Sequence, residues 1–247
     1  MQRKFMRKHG IFGVATALAI GLASCSSPAP TDSDAASDTA SDATTETDAA
    51  ASDAADDSDD SKIDVVASYS VICDLTSEIA ADAVDLNCLI APDRDPHTYE
   101  ATPSDREAVE TADLVLYAGL NFEPAIIDMA AASDTEAPKI ALHDESVQQL
   151  IEVEEEGELE PDPHVWHDVE NGLAMVALIR DNLVAVDPDN ADAYTENAEQ
   201  LTAELEALDT WIPEQIATIP EAQRRLVTTL DAMSYYAEAY GLIVEGT

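Results

Sequence analysis

The order of apolar segments along the chain predicts an α/β fold with a mostly parallel sheet. Short β-branched or apolar runs, expected to be strands, occupy residues 63–70, 84–90, 113–119 and 138–143, and stretches of helical pattern separate them. This alternation is typical of βαβ units, in which a helix returns the chain for the next parallel strand. In such folds ligands bind at the carboxyl ends of the strands.

The helices and the later strands are predicted from periodicity and end signals. Ser104 and Glu107 have the spacing of a capping box, and Pro124 suits the first turn of a helix. In chain order we expect helices at 74–84, 103–112, 123–132, 169–187 and through a long stretch after Asp187, then a strand at 224–229, a helix at 231–240 and a strand at 241–247. That last apolar run has no following segment to pair with or to cover it, and we expect an incomplete domain there.

The charge of the chain excludes one class of partner. The formal net charge is −41 at neutral pH, with 52 acidic and 11 basic residues. Nucleic-acid binding depends on Lys and Arg neutralising phosphates, so no nucleic-acid partner is expected. A cationic ligand suits such a surface better.

The first 61 residues predict an exported, lipid-anchored protein. Residues 1–25 have a basic start and a 13-residue apolar run that is too short to span a membrane, as in a signal peptide. They end in Leu-Ala-Ser-Cys, which resembles a bacterial lipobox, so Cys25 is the expected lipidation site; an ordinary cleavage site with an incidental cysteine is the alternative. Residues 26–61 are acidic with little apolar content, which predicts a disordered tether, with weak metal collection as a lesser alternative.

The tripeptide Asp-Pro-His occurs twice, at residues 95–97 and 162–164, and an aromatic residue follows each copy two positions later. Neutral imidazole is the commonest metal ligand among side chains, and proline stiffens each turn. Asp95 and Asp162 are placed to accept the other ring N–H of His97 and His164, while Tyr99 and Trp166 would wall the site. The repeat predicts a metal site in a cleft between two lobes, against the plainer reading of two loop histidines.

Several other residues leave alternatives open. Cys73 and Cys88 are either joined in a disulfide or are two separate, small, buried side chains. His143 is expected in a loop or the core rather than as a spare ligand, and His167 is expected to cap a helix or face solvent. The acidic segment 152–160 reads as a solvated loop, with loose cation binding as the lesser alternative.

Five segments together resemble one family of proteins, the metal-binding (zinc/manganese) solute-binding lipoproteins of ABC transporters, which includes zinc-uptake and adhesin-like members. They are LIAPDRDPHTYEATPSD, ADLVLYAGLNFE, DPHVWHDVENG, VDPDNADAYTENAEQL and LVTTLDAMSYYAEAYGL. The resemblance implies two parallel-sheet lobes of the helical-backbone metal-receptor type, joined by a rigid long helix. We therefore expect an N-terminal lobe at 62–168, the linking helix at 169–187 and a partial C-terminal lobe at 188–247.

The resemblance also implies a ligand set. The first two family ligands match His97 and His164; the third, a His or Glu, matches Leu230, which has no donor atom. Asp231 is adjacent and is the candidate replacement. The fourth is an acid that falls beyond Thr247, so the chain resembles a C-terminally truncated member.

These observations predict a monomeric binding protein, outside the cytoplasm and anchored to the cell membrane by lipid, that captures Zn²⁺ or Mn²⁺ and delivers it to an ABC permease. It is not expected to be an enzyme. Binding needs neutral histidines, so affinity should fall as the pH drops through about 6.5. One alternative is a truncated relative without a working site that serves in adhesion or has no function. A two-histidine zinc hydrolase is less favoured, because no H-E-x-x-H motif is present.

Overall fold

The computed structural model describes residues 62–155 and 157–245. The expected signal peptide, its lipidation site Cys25 and the acidic tether lie outside these residues. Within the described ranges, no helix is both long and apolar enough to cross a membrane.

Four parallel strands in the order β2-β1-β3-β4 form the main sheet. They are β1 (Ile63–Ala67), β2 (Val84–Cys88), β3 (Leu114–Tyr117) and β4 (Lys139–Ala141), and they alternate with helices α1 (Ser70–Ala80), α2 (Pro103–Thr111), α3 (Pro124–Ala132) and α4 (Leu142–Ser146). Val65 at the centre of β1 pairs with Leu86 on one side and Leu114 on the other. The predicted α/β class with a parallel sheet is confirmed.

The remaining helices pack beside this sheet. The helix α5 (Val169–Val186) is followed by α6 (Ala191–Ile216), and α1 and α5 both contact α6. Met175, Val176, Ile179 and Leu183 of α5 are buried and repeat at helical spacing, which presses one stripe of the helix into the main core. Burial of this apolar stripe is what holds the long helices against the sheet.

The second parallel pair is small. Strand β7 (Arg225–Val227) pairs with β8 (Ile243–Glu245), with α7 (Ser234–Tyr240) between them, and Arg225 forms an ion pair with Glu245 across the pair. The last apolar run of the described residues therefore pairs, through Ile243–Glu245, with a strand that precedes it in the chain. The long range of that pairing hid it from a local reading of the sequence.

Two other local expectations were wrong. The segment expected as an acidic loop is a β-hairpin, with β5 (Glu152–Glu155) antiparallel to β6 (Glu158–Pro161). The helix α2 begins at Pro103 and its N-cap is Thr102, which forms a capping box with Asp105. Pro103 fixes the first helical position, so the cap lies one residue before it rather than at Ser104.

The two cysteines of the described part form a disulfide. Cys73 of α1 and Cys88 at the end of β2 are joined, with their Cα atoms 5.9 Å apart. This result decides between the two alternatives that the sequence left open. The bond links the first helix to the strand that leads to the first Asp-Pro-His turn.

Candidate metal centre

The first Asp-Pro-His turn follows the carboxyl end of β2. Pro96–Thr98 forms one turn of 3-10 helix, and the Asp95 side chain caps it by accepting hydrogen bonds from the His97 backbone N–H (3.1 Å) and the Thr98 hydroxyl (3.1 Å). Asp95 thus fixes the backbone of the turn rather than the imidazole ring. His97 is exposed, at the mouth of the site.

The second turn joins the acidic hairpin to α5. Asp162 is fully buried, and its Oδ1 accepts from both the His164 backbone N–H (2.9 Å) and the His164 ring Nδ1 (2.7 Å). Burial by itself raises the pKa of the Asp162 carboxyl, but these bonds to His164 outweigh it and the net pKa is lowered. An ionised carboxylate only accepts, so Nδ1 of His164 carries the proton and Nε2 has a free lone pair.

The two imidazoles face each other through their Nε2 atoms, which are 3.2 Å apart. With His164 accepting, His97 supplies the proton of this N–H···N contact in the metal-free protein. Two imidazole ligands about 2.05 Å from one tetrahedral metal ion have nitrogens about 3.3 Å apart. The observed separation therefore fits two ligands of a single ion, with the metal replacing the shared proton.

Aromatic side chains surround the pair. Phe122 lies edge-on to both rings, with centroids 4.9 Å from His97 and 5.7 Å from His164. Trp166 lies 5.4 Å from His164 and packs against Phe122 at 5.0 Å and Tyr69 at 5.3 Å. These rings exclude water from the inner side of the site, which strengthens any interaction with a cation.

Tyr99 was expected to wall the site and does not. Its hydroxyl donates to Asp105 (2.9 Å) and contacts the Leu89 carbonyl oxygen (3.3 Å), and its ring packs against the main core. Tyr99 instead fastens the chain just after His97.

Phe122 is positioned by a turn with unusual backbone geometry. Gly119, Leu120 and Asn121 all have positive φ, and the Leu120 N–H donates to Asp144 (3.0 Å). A Cβ on residue 119 would collide with the Asp144 carboxylate, so glycine is required there. Leucine at positive φ is uncommon, and such conformations persist only where surrounding contacts enforce them.

Glu123 closes this turn from the inside. Its side chain is almost fully buried, and its Oε1 accepts from the Ala118 N–H at 2.6 Å. Burial raises the pKa of this carboxyl from 4.5 to about 7, although the bond from Ala118 opposes the shift. Glu123 therefore supports the segment that holds Phe122 against the two histidines.

The other two histidines of this region do not join the pair. His143 is fully buried in α4, its Nε2 is 3.0 Å from the Tyr69 hydroxyl, and burial lowers its pKa to about 3. It is thus a neutral core histidine, as expected. His167 packs against Trp166, and burial, followed by the nearby His164, lowers its pKa.

The segment after β7 lies apart from this arrangement. Leu230 is 74 % exposed and Asp231 is exposed. Across residues 62–155 and 157–245, no group of three or more His, Cys, Asp or Glu side chains is arranged to hold a metal ion. The structure thus brings His97 and His164 together without placing Asp231 in a three-residue group with them.

The site residues share a place in the fold. Tyr69, His97, Phe122 and His143 follow the carboxyl ends of β1, β2, β3 and β4, where ligands of parallel sheets bind. The family model for the ZnuA zinc-uptake complex component A, periplasmic, matches residues 65–247, which include the whole arrangement. The chain belongs to this family. The resemblance in the sequence is thereby confirmed.

Individual relatives agree with the family model. The manganese-binding lipoprotein MntA of Halalkalibacterium halodurans is 35 % identical over 189 residues, which cover 76 % of this chain and 61 % of the relative. The manganese ABC transporter substrate-binding lipoprotein PsaA of Streptococcus pneumoniae is 32 % identical over 188 residues, covering 73 % and 60 %. The chain thus spans about three fifths of the length of these relatives.

Solved structures show the same fold. The periplasmic zinc-binding protein TroA of Treponema pallidum superposes with a TM-score of 0.70 at 32 % identity, covering 75 % of this chain and 66 % of TroA. The Mn-bound periplasmic metal-binding protein of Candidatus Liberibacter asiaticus gives 0.66 at 28 % identity, covering 74 % and 67 %. The predicted fold class is therefore confirmed.

Sequence reasoning did not single out Tyr69, Phe122 or Glu123 as part of the site. The signal was present, because Phe122 and Glu123 come directly after a predicted strand, where ligand-binding loops of parallel sheets lie. It was not decisive, because an aromatic side chain after a strand is equally typical of a core position.

Proposed function

We propose that this protein is the extracytoplasmic, lipid-anchored binding component of an ABC importer and that it captures Zn²⁺ or Mn²⁺ between His97 and His164. The observation that carries the proposal is the 3.2 Å separation of the two Nε2 atoms, which fits two ligands of one ion. The names of the relatives support it: MntA is a manganese-binding lipoprotein, PsaA is a manganese ABC transporter substrate-binding lipoprotein, and TroA is a periplasmic zinc-binding protein. The metal is cargo, and no bond is made or broken.

The chemistry of capture follows from the hydrogen bonds around His164. The buried Asp162 carboxylate holds Nδ1–H and so keeps Nε2 of His164 available as a donor to the metal. On binding, the proton between the two Nε2 atoms moves to Nδ1 of His97, so both imidazoles stay neutral, whereas a protonated imidazole must first lose a proton. Acidification therefore favours release of the metal.

The remaining coordination positions decide which metal is preferred. Two imidazoles alone favour Zn²⁺, whereas added carboxylate oxygens shift the preference toward Mn²⁺. Asp231 is the candidate third ligand, and it lies in the exposed turn that follows β7. As a ligand it would join the histidine pair only in the metal-bound form. Water then fills any position that the protein leaves open.

The second candidate is a protein that has the family fold but lacks a complete set of metal ligands. It is favoured by the exposed Leu230 at the third-ligand position and by the lack of a three-residue ligand group within the described ranges. Such a protein would serve at the cell surface without transporting metal. The same experiment separates the two candidates.

Calorimetric titration of the purified chain with Zn²⁺ and with Mn²⁺ tests the proposal. We expect binding of one ion per chain, lost in the double variant His97→Ala, His164→Ala. The matched control is His167→Ala, because this histidine is close in sequence and packs on Trp166 but is not in the pair. Weak binding that persists in the double variant would establish the second candidate.

Asp231→Ala distinguishes three-ligand from two-ligand capture. If Asp231 coordinates, its removal should weaken binding by at least tenfold and reduce the preference for Mn²⁺ over Zn²⁺. Unchanged affinity would leave the two histidines and water as the coordination sphere. Generic ester and peptide hydrolysis, assayed with and without chelator, should stay at background in every variant.

A further inference from the structure

The disulfide between Cys73 and Cys88 has one buried and one exposed end. Cys73 is only 8 % exposed in α1, whereas Cys88 at the end of β2 is exposed. β2 is an outer strand of the four-stranded sheet, so within the described sheet it is paired on one side only. Cys88 is therefore the solvent-exposed end of the bond.

A surface groove leads to this bond. It has a volume of about 560 Å³, and both cysteines line it together with Val71, Leu86, Ile90 and Pro92. Asp74 is the one acidic side chain of the lining. This groove is the route by which a small thiol reagent would approach Cys88.

The bond also ties together two parts that lead into the metal centre. The two residues after Cys88 form backbone hydrogen bonds to the end of β1, from Leu89 N–H to Ala67 O (3.0 Å) and from Ile90 N–H to Ser68 O (2.9 Å). The chain then continues to His97. Cys73 lies in the first turn of α1, which starts directly after Tyr69, and the Tyr69 ring packs against Trp166 beside the histidine pair. The disulfide thus crosslinks the start of the segment that bears His97 to the helix that follows Tyr69.

We propose that the Cys73–Cys88 disulfide is a redox switch, which a dithiol reduces by attack on Cys88. The oxidation state of this bond sets how firmly the segment that bears His97 is held. It thereby sets the metal affinity of the chain. The part concerning affinity rests on the proposed function. The part concerning the disulfide and the His97 segment stands on the geometry alone.

The exchange proceeds in two balanced steps. A thiolate of the dithiol attacks Cys88 Sγ, a mixed disulfide forms, and the Cys73–Cys88 bond breaks with Cys73 leaving as a thiolate that takes up a proton. The second thiol of the reagent then attacks its own mixed-disulfide sulfur and releases Cys88 as a thiol. Two electrons and two protons pass to the protein, and the dithiol becomes a cyclic disulfide. The Ala67 carbonyl oxygen lies 3.8 Å from Cys73 Sγ and can accept from the new thiol.

The coupling acts in both directions. If oxidation strengthens metal binding by a given factor, bound metal must favour the oxidised form by the same factor. We expect the reduced chain to bind Mn²⁺ about fivefold more weakly or worse, at the low end of coupling between sites. Saturating Mn²⁺ should shift the dithiol/disulfide equilibrium of this bond by that same factor.

The first measurement needs no metal. The folded chain is treated with millimolar dithiothreitol without denaturant, and iodoacetamide labelling is followed by intact mass. We expect two more labelled thiols than in the untreated chain. The imidazole ¹H–¹⁵N resonances of His97 should then shift on reduction, while the indole ¹H–¹⁵N resonance of the exposed Trp211 in α6 stays in place. Failure to reduce the bond, or reduction without any change at His97, would overturn the proposal whether or not the chain binds metal.

The second measurement uses Mn²⁺, because thiols compete strongly for Zn²⁺. Oxidised chain and anaerobic reduced chain, freed of dithiothreitol, are titrated beside the double variant Cys73→Ser, Cys88→Ser. The reduced chain and the double variant should show the same weakened affinity, and dithiothreitol should not affect the variant. Equal affinity in oxidised and reduced chain would refute the coupling, whereas absence of binding in the oxidised chain would refute the proposed function and leave the first measurement to decide.

Discussion

The buried carboxylate behind His164 offers the sharpest test of how the metal centre works. Asp162→Asn keeps a side-chain oxygen that can accept the Nδ1–H of His164 but removes the charge from a 2.7 Å bond. Hydrogen bonds to charged groups contribute about 1.5–3 kcal/mol and neutral ones about 0.5–1.5 kcal/mol. The midpoints of these ranges differ by roughly 1.25 kcal/mol, which corresponds to about eightfold weaker metal binding, close to the lower end of what such supporting residues contribute.

The chain supplies its own matched control for this substitution. Asp95 occupies the same place in the first Asp-Pro-His turn, but its carboxylate accepts from the His97 backbone N–H and the Thr98 hydroxyl. Asp95→Asn should therefore change the affinity by less than about threefold, because no ring N–H depends on the charge. Zinc affinities of the three proteins would be measured by calorimetry with a competing chelator, with circular dichroism melting curves to verify folding.

Two results would refute this reasoning. A folded Asp162→Asn chain that binds zinc as tightly as the wild type would show that the carboxylate does not tune His164. Equal losses for Asp95→Asn and Asp162→Asn would show that the two turns act alike, as the sequence repeat alone suggests, rather than in the different ways that their hydrogen bonds indicate.

Three further predictions concern stability, each measured by urea unfolding. Thr102→Ala should cost about 1 kcal/mol of unfolding free energy by removing the cap of α2, whereas Ser104→Ala should change it by less than about 0.5 kcal/mol. The Glu123 carboxyl has a pKa of about 7 in the folded chain but about 4.5 in the unfolded chain, so the free energy of unfolding of the wild type should fall by up to about 3 kcal/mol as the pH rises between these values. Glu123→Gln should abolish this fall. Parallel pH profiles of the variant and the wild type would contradict the prediction. The Tyr235 hydroxyl donates to the Asp162 carbonyl and accepts from the Ile151 N–H. Tyr235→Phe should therefore lower the free energy of unfolding by about 1–3 kcal/mol, because these backbone groups lose their partner. A decrease no larger than that of Tyr236→Phe would count against this role.

The strand and helix order of the main sheet was predictable because its signals are local. β-branched runs, helical periodicity and Pro124 at a helix start each act within a few residues, and the structure has strands and helices close to the predicted places. The start of α1 was misplaced by four residues, at Ser70 rather than Asp74, because burial of Ile72 and Cys73 against the sheet favours helix there. Tertiary packing thus extended an element that the local pattern began later.

The metal centre was predictable in part, for the same kind of reason. The repeated Asp-Pro-His motif is a local pattern, and it identified both histidines that face each other. The different hydrogen bonding of Asp95 and Asp162 was not predictable, since it depends on which carboxylate the hairpin and α7 bury. The contribution of Phe122 depends on a turn at positive φ held by Asp144, which is more than twenty residues away along the chain.

The sequence by itself determined the fold class, the two histidines and the family, because each of these is encoded in short patterns of residue type and spacing. Only the tertiary structure decided that the two Nε2 atoms are 3.2 Å apart, that Cys73 and Cys88 are bonded, and that the last strand pairs with β7. The physical reason is that distances between residues far apart in the chain depend on how the whole sheet, its helices and their buried side chains pack together, and no local pattern records that sum of contacts.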